Sequence, residues 1–342
     1  MKENGGRLYR VLVTSTTFGL ASSSPVEYLQ EHQCEVVFGP RRPLRDEELA
    51  RLLPGFHALI AGLDEIGPMS LAAADVLRVI ARRGASLDLI DLRGATERGI
   101  MVFSLPRMDA ESVADLTFGL ILAVARLIPQ ADRRIRAGHW DRPIGRDVWG
   151  KNLGIIGLGR IGSAVARRAR GFSMRLAAFD RSPDPDLARE LGVEYTDLPT
   201  LLRGADFVTL HLPLTPATKG FISFQELRMM KPTAYLINTS RGGVVDETAL
   251  FHALTHKWIA GTALDVFSEE PPWGSPLLGL ENVVCTPHMG TYTVETLEAM
   301  DMYCAREVVR ALRGEVPNGM ANPEVLKLRD FGGGPDLGTS QG

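Results

Sequence analysis

GIIGLGRIGSAVARRAR, residues 154–170, is the stretch on which the fold turns. A short apolar run ends in Gly157-Leu158-Gly159-Arg160-Ile161-Gly162 and opens into an Ala- and Arg-rich segment without proline. A GxGxxG pattern alone is a weak signal, because glycine is common. After a strand and before a helix it gains a physical meaning. Gly157 permits the tight turn, Gly159 lets the backbone approach a pyrophosphate, and Gly162 allows close helix packing. The helix start offers unpaired N–H groups and a positive dipole end to the phosphates. The backbone amides of Arg160 and Ile161 are the expected donors.

The next apolar run, RLAAFD, ends in Asp180, about 20 residues beyond the glycine loop. A carboxylate there accepts hydrogen bonds from the adenosine ribose hydroxyls and repels a 2′-phosphate, so NAD is expected over NADP. The adjacent Arg181 works against a strict preference.

Outward from this loop the same pattern recurs. NLGIIG (152–157), RLAAFD (175–180), FVTLHLP (207–213), AYLINTS (234–240), GTALDVF (261–267) and NVVCTPH (282–288) read as six buried parallel strands. An earlier series, RVLVTS (10–15), CEVVFG (34–39), HALIAG (57–62), LRVIA (77–81) and GIMVFS (99–104), has the same character. Between them AESVADLTFGLILAVARLI (110–128) reads as a buried helix, interrupted by Pro129. A last helix is expected over 294–313. The fold class is therefore α/β, with two doubly wound parallel-sheet domains. A Rossmann NAD-binding domain (107–290) is inserted into a discontinuous flavodoxin-like substrate domain (1–106 and 291–328), and the Gly-rich 329–342 is a flexible tail.

Composition narrows the function. The chain is 45% hydrophobic and 23% charged over 342 residues, ordinary for a soluble two-domain protein. A formal charge of −3 and the lack of a basic aromatic-rich run argue against nucleic acid. No apolar run approaches the roughly 20 residues needed to span a bilayer, and MKENGGRLYR lacks the core of a signal peptide. Cys34, Cys285 and Cys304 are scattered, which argues against a disulfide framework or a metal site and fits a cytoplasmic protein. Each is expected as a small buried hydrophobe.

Ligands of open parallel sheets bind beyond the carboxyl ends of the strands. There the second series places the glycine loop, Asp180, His211 and Pro213, Thr239-Ser240-Arg241, Asp265 and His288. Hydride transfer to a 2-keto acid needs three protein groups. A planar guanidinium suits the carboxylate and carbonyl, a histidine suits the proton, and a carboxylate orients the imidazole and favours its protonated form. Arg241, His288 and Glu270 could fill these roles, although composition alone makes Glu269-Glu270 a solvated acidic loop.

NTSRGGVVDETAL (238–250), ALDVFSEEPP (263–272) and TPHMG (286–290) strongly resemble the D-isomer-specific 2-hydroxyacid dehydrogenases. The likeness extends to WGKNLGIIGLGRIGSAVARRARGF (149–172) and HLPLTPATKGFI (211–222), and is nearest the phosphoglycerate dehydrogenase-like branch without a regulatory C-terminal domain. It runs from about Ile60 to about Pro323. The resemblance implies that Arg241 binds the substrate carboxylate and that His288 is the acid/base with Glu270 as partner. It implies an NAD site lined by Arg160, Ile161, Asp180, Pro213, Thr218, Thr239, Ser240, Arg241, Asp265 and Gly290, with Asp265 near the nicotinamide carboxamide. It also implies a small 2-keto or 2-hydroxy acid as substrate and a homodimer built through the cofactor domain.

The departures lie in the substrate half. The family's R-x-G-V-G-x-D-N-V-D loop, whose amides grip the substrate carboxylate, reads RRGASLDLID (82–91), with Ala85, Ser86 and Leu89 at altered positions. Gly62, in Ala61-Gly62-Leu63, is a further expected substrate contact. Asp109 stands where Asn is usual and reads as the N-cap of the long helix. These changes leave a second class open: an NAD(H)-sensing binding protein on the same fold with little or no turnover.

Overall fold

The computed structural model describes residues 8–84, 87–106 and 108–328. The chain divides into two compact units, Met1–Met108 with Thr293–Gly342, and Asp109–Tyr292. In the first unit β1 (Tyr9–Val13), α1 (Ser24–Glu31), β2 (Cys34–Phe38), α2 (Asp46–Leu52), β3 (Ala58–Ala61), α3 (Pro68–Ala73), β4 (Val79–Arg82), α4 (Leu92–Glu97) and β5 (Met101–Ser104) follow one another. Every pairing is parallel and the strand order is β2-β1-β3-β4-β5, the flavodoxin-like order. Alternate strand residues feed opposite faces. Val11, Val13, Ala58, Ile60, Val79 and Ala81 join one core, while Leu12, Leu59, Ala61 and Ile80 join the other. Burial on both faces is why these strands read as continuous apolar runs. Each buried Val, Leu or Ile contributes about 1.5–3 kcal/mol.

The second unit opens with α5 (Ala110–Arg126) and α6 (Ile128–Arg136), then alternates β6 (Asn152–Ile156), α7 (Arg160–Gly171), β7 (Arg175–Phe179), α8 (Pro185–Leu191), β8 (Val193–Tyr195), α9 (Leu198–Gly204), β9 (Phe207–Leu210), α10 (Phe224–Met229), β10 (Tyr235–Asn238), α11 (Glu247–Thr255), β11 (Gly261–Leu264) and β12 (Val283–Cys285). Its sheet has seven strands in the order β12-β11-β10-β9-β6-β7-β8, not the six expected. The added strand, β8, is three residues long with one of them buried, too short for a hydrophobic run to announce it. The order reverses at β6, and the glycine loop follows that strand, which is where an open α/β sheet holds its ligand.

α5 ends on Leu127, left-handed at φ 55°, before Pro129 is reached. Pro129 lies in the first turn of α6, where a missing N–H costs nothing, so it is not what stops the helix. Among the described residues no single helix is long and apolar enough to cross a membrane; α5 and α6 would reach that length only together, and they are bent by 63°. α5 is a core helix instead, with Phe118, Ile121, Val124 and Ala125 buried against Leu153, Ile155 and Ile237 of the sheet.

α12 (Val294–Leu312) returns to the first unit. Its buried Asp301 pairs with the Arg83 side chain just beyond β4 and accepts the Gly19 N–H at 2.9 Å, which ties the helix to the end of β4 and to the loop after β1. Cys34 and Cys304 are buried, and burial pushes their thiols up to about 11 and about 12. Cys285 departs from expectation: it closes β12 and is exposed. The 329–342 tail lies outside the described residues.

Candidate functional site

The glycine loop has the geometry its sequence requires. Gly157 sits at φ +94°, and a Cβ there would lie 2.7 Å from the His211 carbonyl oxygen. A Cβ at Gly162 would lie 2.1 Å from the Gly157 carbonyl oxygen. At Gly159 a Cβ would meet nothing within 4 Å, so this backbone faces open space. α7 starts immediately afterwards, with Ser163 N–H bonded to the Gly159 carbonyl at 2.8 Å. The first turn of a helix directs its N–H groups outward along the axis. The loop therefore combines an open backbone face with a helix N-terminus, which fits a dinucleotide pyrophosphate.

Asp180 is held beside it. Its Oδ2 accepts the Leu158 N–H of the glycine loop at 2.8 Å, and its Oδ1 accepts the Ser182 N–H at 2.8 Å. The carboxylate is thus fixed at the end of β7, the place from which a ribose diol is recognised. Beyond β9, burial pushes the His211 imidazole down to about 3, which favours the neutral ring. Its Nε2 lies 3.0 Å from Thr209 Oγ1. Thr218 Oγ1 donates to the Pro213 carbonyl at 2.5 Å and accepts the Thr215 N–H at 2.8 Å, which closes the loop after β9.

The end of β10 is organised by Asn238, a residue the sequence reading passed over. Its Oδ1 accepts from both the N–H (3.0 Å) and the Oγ (2.8 Å) of Ser240, and its Nδ2 donates to the Arg241 carbonyl at 3.0 Å. Thr239 Oγ1 lies 2.9 Å from Thr117 Oγ1 of α5. This framework sets the Arg241 backbone, and its guanidinium donates to the Ser240 carbonyl at 2.6 Å. The next residue binds the loop to its neighbour: a Cβ on Gly242 would lie 1.9 Å from the carbonyl carbon of Phe267. Gly242, next in the chain to Arg241, therefore packs against Phe267 and Ser268, the two residues before the Glu269-Glu270 pair.

Glu270 is exposed but partnered. Its Oε2 lies 2.7 Å from His288 Nδ1, and its Oε1 accepts the Phe267 N–H at 3.1 Å. His288 occupies a strained left-handed position, φ 51°, just past β12. Asp265 holds it there. The Asp265 carbonyl accepts the His288 N–H at 2.8 Å. The Asp265 carboxylate is 1% exposed and accepts from Thr286 Oγ1 (2.6 Å), Met289 N–H (2.9 Å) and Gly290 N–H (3.0 Å). Both carboxylate oxygens are thus engaged by the turn that carries His288, and Asp265 acts as the support of that turn.

The remaining expected residues fare differently. The Gly62 N–H donates to the buried Asp64 at 2.9 Å, so that amide is engaged inside its own loop. Ala85 and Ser86 lie outside the described residues. Asp109 stands at the start of α5, but its side chain makes no capping bond; the carboxylate turns to Arg160 instead, 3.2 Å away. Among the described residues no cluster of three His, Cys, Asp or Glu is placed to hold a metal ion.

Residues 118–290 match the family described as "D-isomer specific 2-hydroxyacid dehydrogenase, NAD binding domain". The glyoxylate reductase of Korarchaeum cryptofilum is 46% identical over 276 residues, 79% of this chain and 83% of that protein. The D-3-phosphoglycerate dehydrogenase of Methanocaldococcus jannaschii is 45% identical over 262 residues, 76% of this chain but only 50% of that protein. The apo structure of Escherichia coli D-lactate dehydrogenase superposes with a TM-score of 0.81 at 31% identity, covering 91% of this chain and 99% of that one. With a cradle shaped for a dinucleotide and these relatives, the chain belongs to the D-isomer-specific 2-hydroxyacid dehydrogenases and is an NAD-dependent oxidoreductase that interconverts a 2-keto acid and its D-2-hydroxy acid.

Proposed function

We propose that Arg241, Glu270 and His288 form the catalytic site, and that it reduces short, unphosphorylated 2-keto acids of the glyoxylate and hydroxypyruvate type. The hydrogen bond between His288 Nδ1 and Glu270, beside the Arg241 loop, is the observation that carries this reading. Glu270 accepts the Nδ1 proton and fixes the ring, which leaves Nε2 to give its proton to the carbonyl oxygen as negative charge develops there. Arg241 clamps the substrate carboxylate and polarises the carbonyl through its planar fork. Bound NADH supplies the hydride, with Gly157, Gly159, Arg160, Ile161, Gly162 and Asp180 as its principal holders and Pro213, Thr218, Thr239, Ser240 and Gly290 along its length.

The preference for an unphosphorylated acid is supported by the relatives named glyoxylate reductase, which are 46% and 42% identical to this chain. The test is NADH oxidation, with NADPH as control, on a panel of 2-keto acids. Glyoxylate and hydroxypyruvate are expected to give kcat/KM at least about tenfold above phosphohydroxypyruvate, the difference of one lost charge-assisted contact. A preference for the phosphorylated acid would overturn this substrate assignment.

The second unit also supports a homodimer. Ile128, Ile135, Trp140, Ile144 and Trp149 are exposed along one segment, and Ile144 is 95% exposed, more apolar surface than a solvent-facing segment usually carries. Three free cysteines suit a reducing cytoplasm.

A further inference from the structure

Asp109 is the first residue of the second unit and occupies the N-cap position of α5. An aspartate there ordinarily accepts an N–H from the first helical turn. Here it makes no such bond, and its Oδ1 lies 3.2 Å from Nη2 of Arg160. Arg160 is the first residue of α7, directly after Gly159, so its guanidinium stems from the loop that faces open space. A carboxylate has therefore been placed on the one arginine of the phosphate-binding turn.

We propose that Asp109 tunes NAD affinity by competing with the cofactor's pyrophosphate for the Arg160 guanidinium. The inference rests on the reading of Arg160 as a pyrophosphate neighbour. A pyrophosphate carries two negative charges, and Asp109 opposes it twice: it occupies the arginine, and it adds like charge to the site. The pair is partly exposed, with side chains 48% and 34% accessible, so it is weak enough for a ligand to break. The consequence is a cofactor held less tightly and released sooner, which suits an enzyme whose product must leave at every turnover.

A purely structural role is the competing account. Arg168 of α7 pairs with Glu111 and Asp115 of α5, both at 2.7 Å, so Asp109–Arg160 could be one more rung between the two helices. The two accounts differ in what neutralisation does. Asp109→Asn should lower the NADH Kd about threefold to fivefold in low-salt buffer, read by cofactor fluorescence, the scale of one exposed ion pair. The gain should shrink below about twofold near 1 M salt, where screening extends only about 3 Å. Asp115→Asn, in the same ladder but away from the glycine loop, should leave the Kd unchanged. Arg160→Ala alone should raise the Kd, and in that background Asp109→Asn should have no more than about a twofold effect. A Kd that rises or stays fixed in Asp109→Asn, while Arg160→Ala still weakens binding, would overturn the competition alone. An unchanged Kd in Arg160→Ala would remove the premise as well. A tighter complex cannot arise from misfolding, so the expected direction is itself a control.

Discussion

His288→Ala is expected to lower kcat for 2-keto-acid reduction by about three to four orders of magnitude while NADH affinity stays within about twofold. A positioned general acid contributes up to about four orders of magnitude, equivalent to roughly 5 kcal/mol of barrier. The two effects separate because the turn is held through backbone. Asp265 grips the N–H groups of His288, Met289 and Gly290, so removing the imidazole leaves the support in place. Glu270 keeps its bond to the Phe267 N–H. Steady-state turnover and a fluorescence titration on the same preparation check the prediction. Equal losses in turnover and binding would show that His288 is structural.

Arg241→Ala is the second large effect, with kcat/KM down by about two to four orders of magnitude. Two charge-assisted hydrogen bonds to a carboxylate are worth about 1.5–3 kcal/mol each, and every 1.4 kcal/mol is a factor of ten. The Asn238 framework sets the Arg241 backbone independently of the guanidinium, so the variant should fold. Arg241→Lys should recover only part of the loss, because an ammonium cannot make the planar two-point contact. The diagnostic is a substrate whose carboxylate is replaced by an amide. The native enzyme should handle it poorly, and Arg241→Ala should lower that residual rate much less than it lowers the rate on the acid. An equal penalty on both substrates would mean that Arg241 acts elsewhere.

The sequence made some of this legible and concealed the rest for identifiable reasons. The parallel strands were readable because burial on both faces favours unbroken apolar runs, as from Val11 to Val13. The glycine loop was readable because Gly157 and Gly162 leave no room for a Cβ. β8 was not, since Val193–Tyr195 is an edge strand with a single buried side chain. Pro129 marks the helix break two residues late, because the left-handed residue is Leu127. Asp109 has the right chemistry and position for a cap, yet a guanidinium 51 residues away takes its carboxylate, a partner no local rule reveals. Asp265 and Asn238 make the same point at the site. A polar residue at the end of a buried strand signals function, but whether it faces a ligand or braces the next loop depends on three-dimensional partners. Glu270 is exposed, as composition suggests, but its histidine partner is 18 residues further on, across a strand, where no local pattern shows it.

The central claim is hydride transfer to C2 of a 2-keto acid, as distinct from cofactor sensing on the same fold. Deuterium tracing tests it most directly. The protein is incubated with glyoxylate or hydroxypyruvate and NADH carrying deuterium at both C4 positions, and the product is examined by mass spectrometry and NMR. The account predicts one deuterium at C2 of the 2-hydroxy acid and, for the hydroxypyruvate product, the D configuration. Tight NADH binding with no deuterium in any product across the acids tried would contradict it.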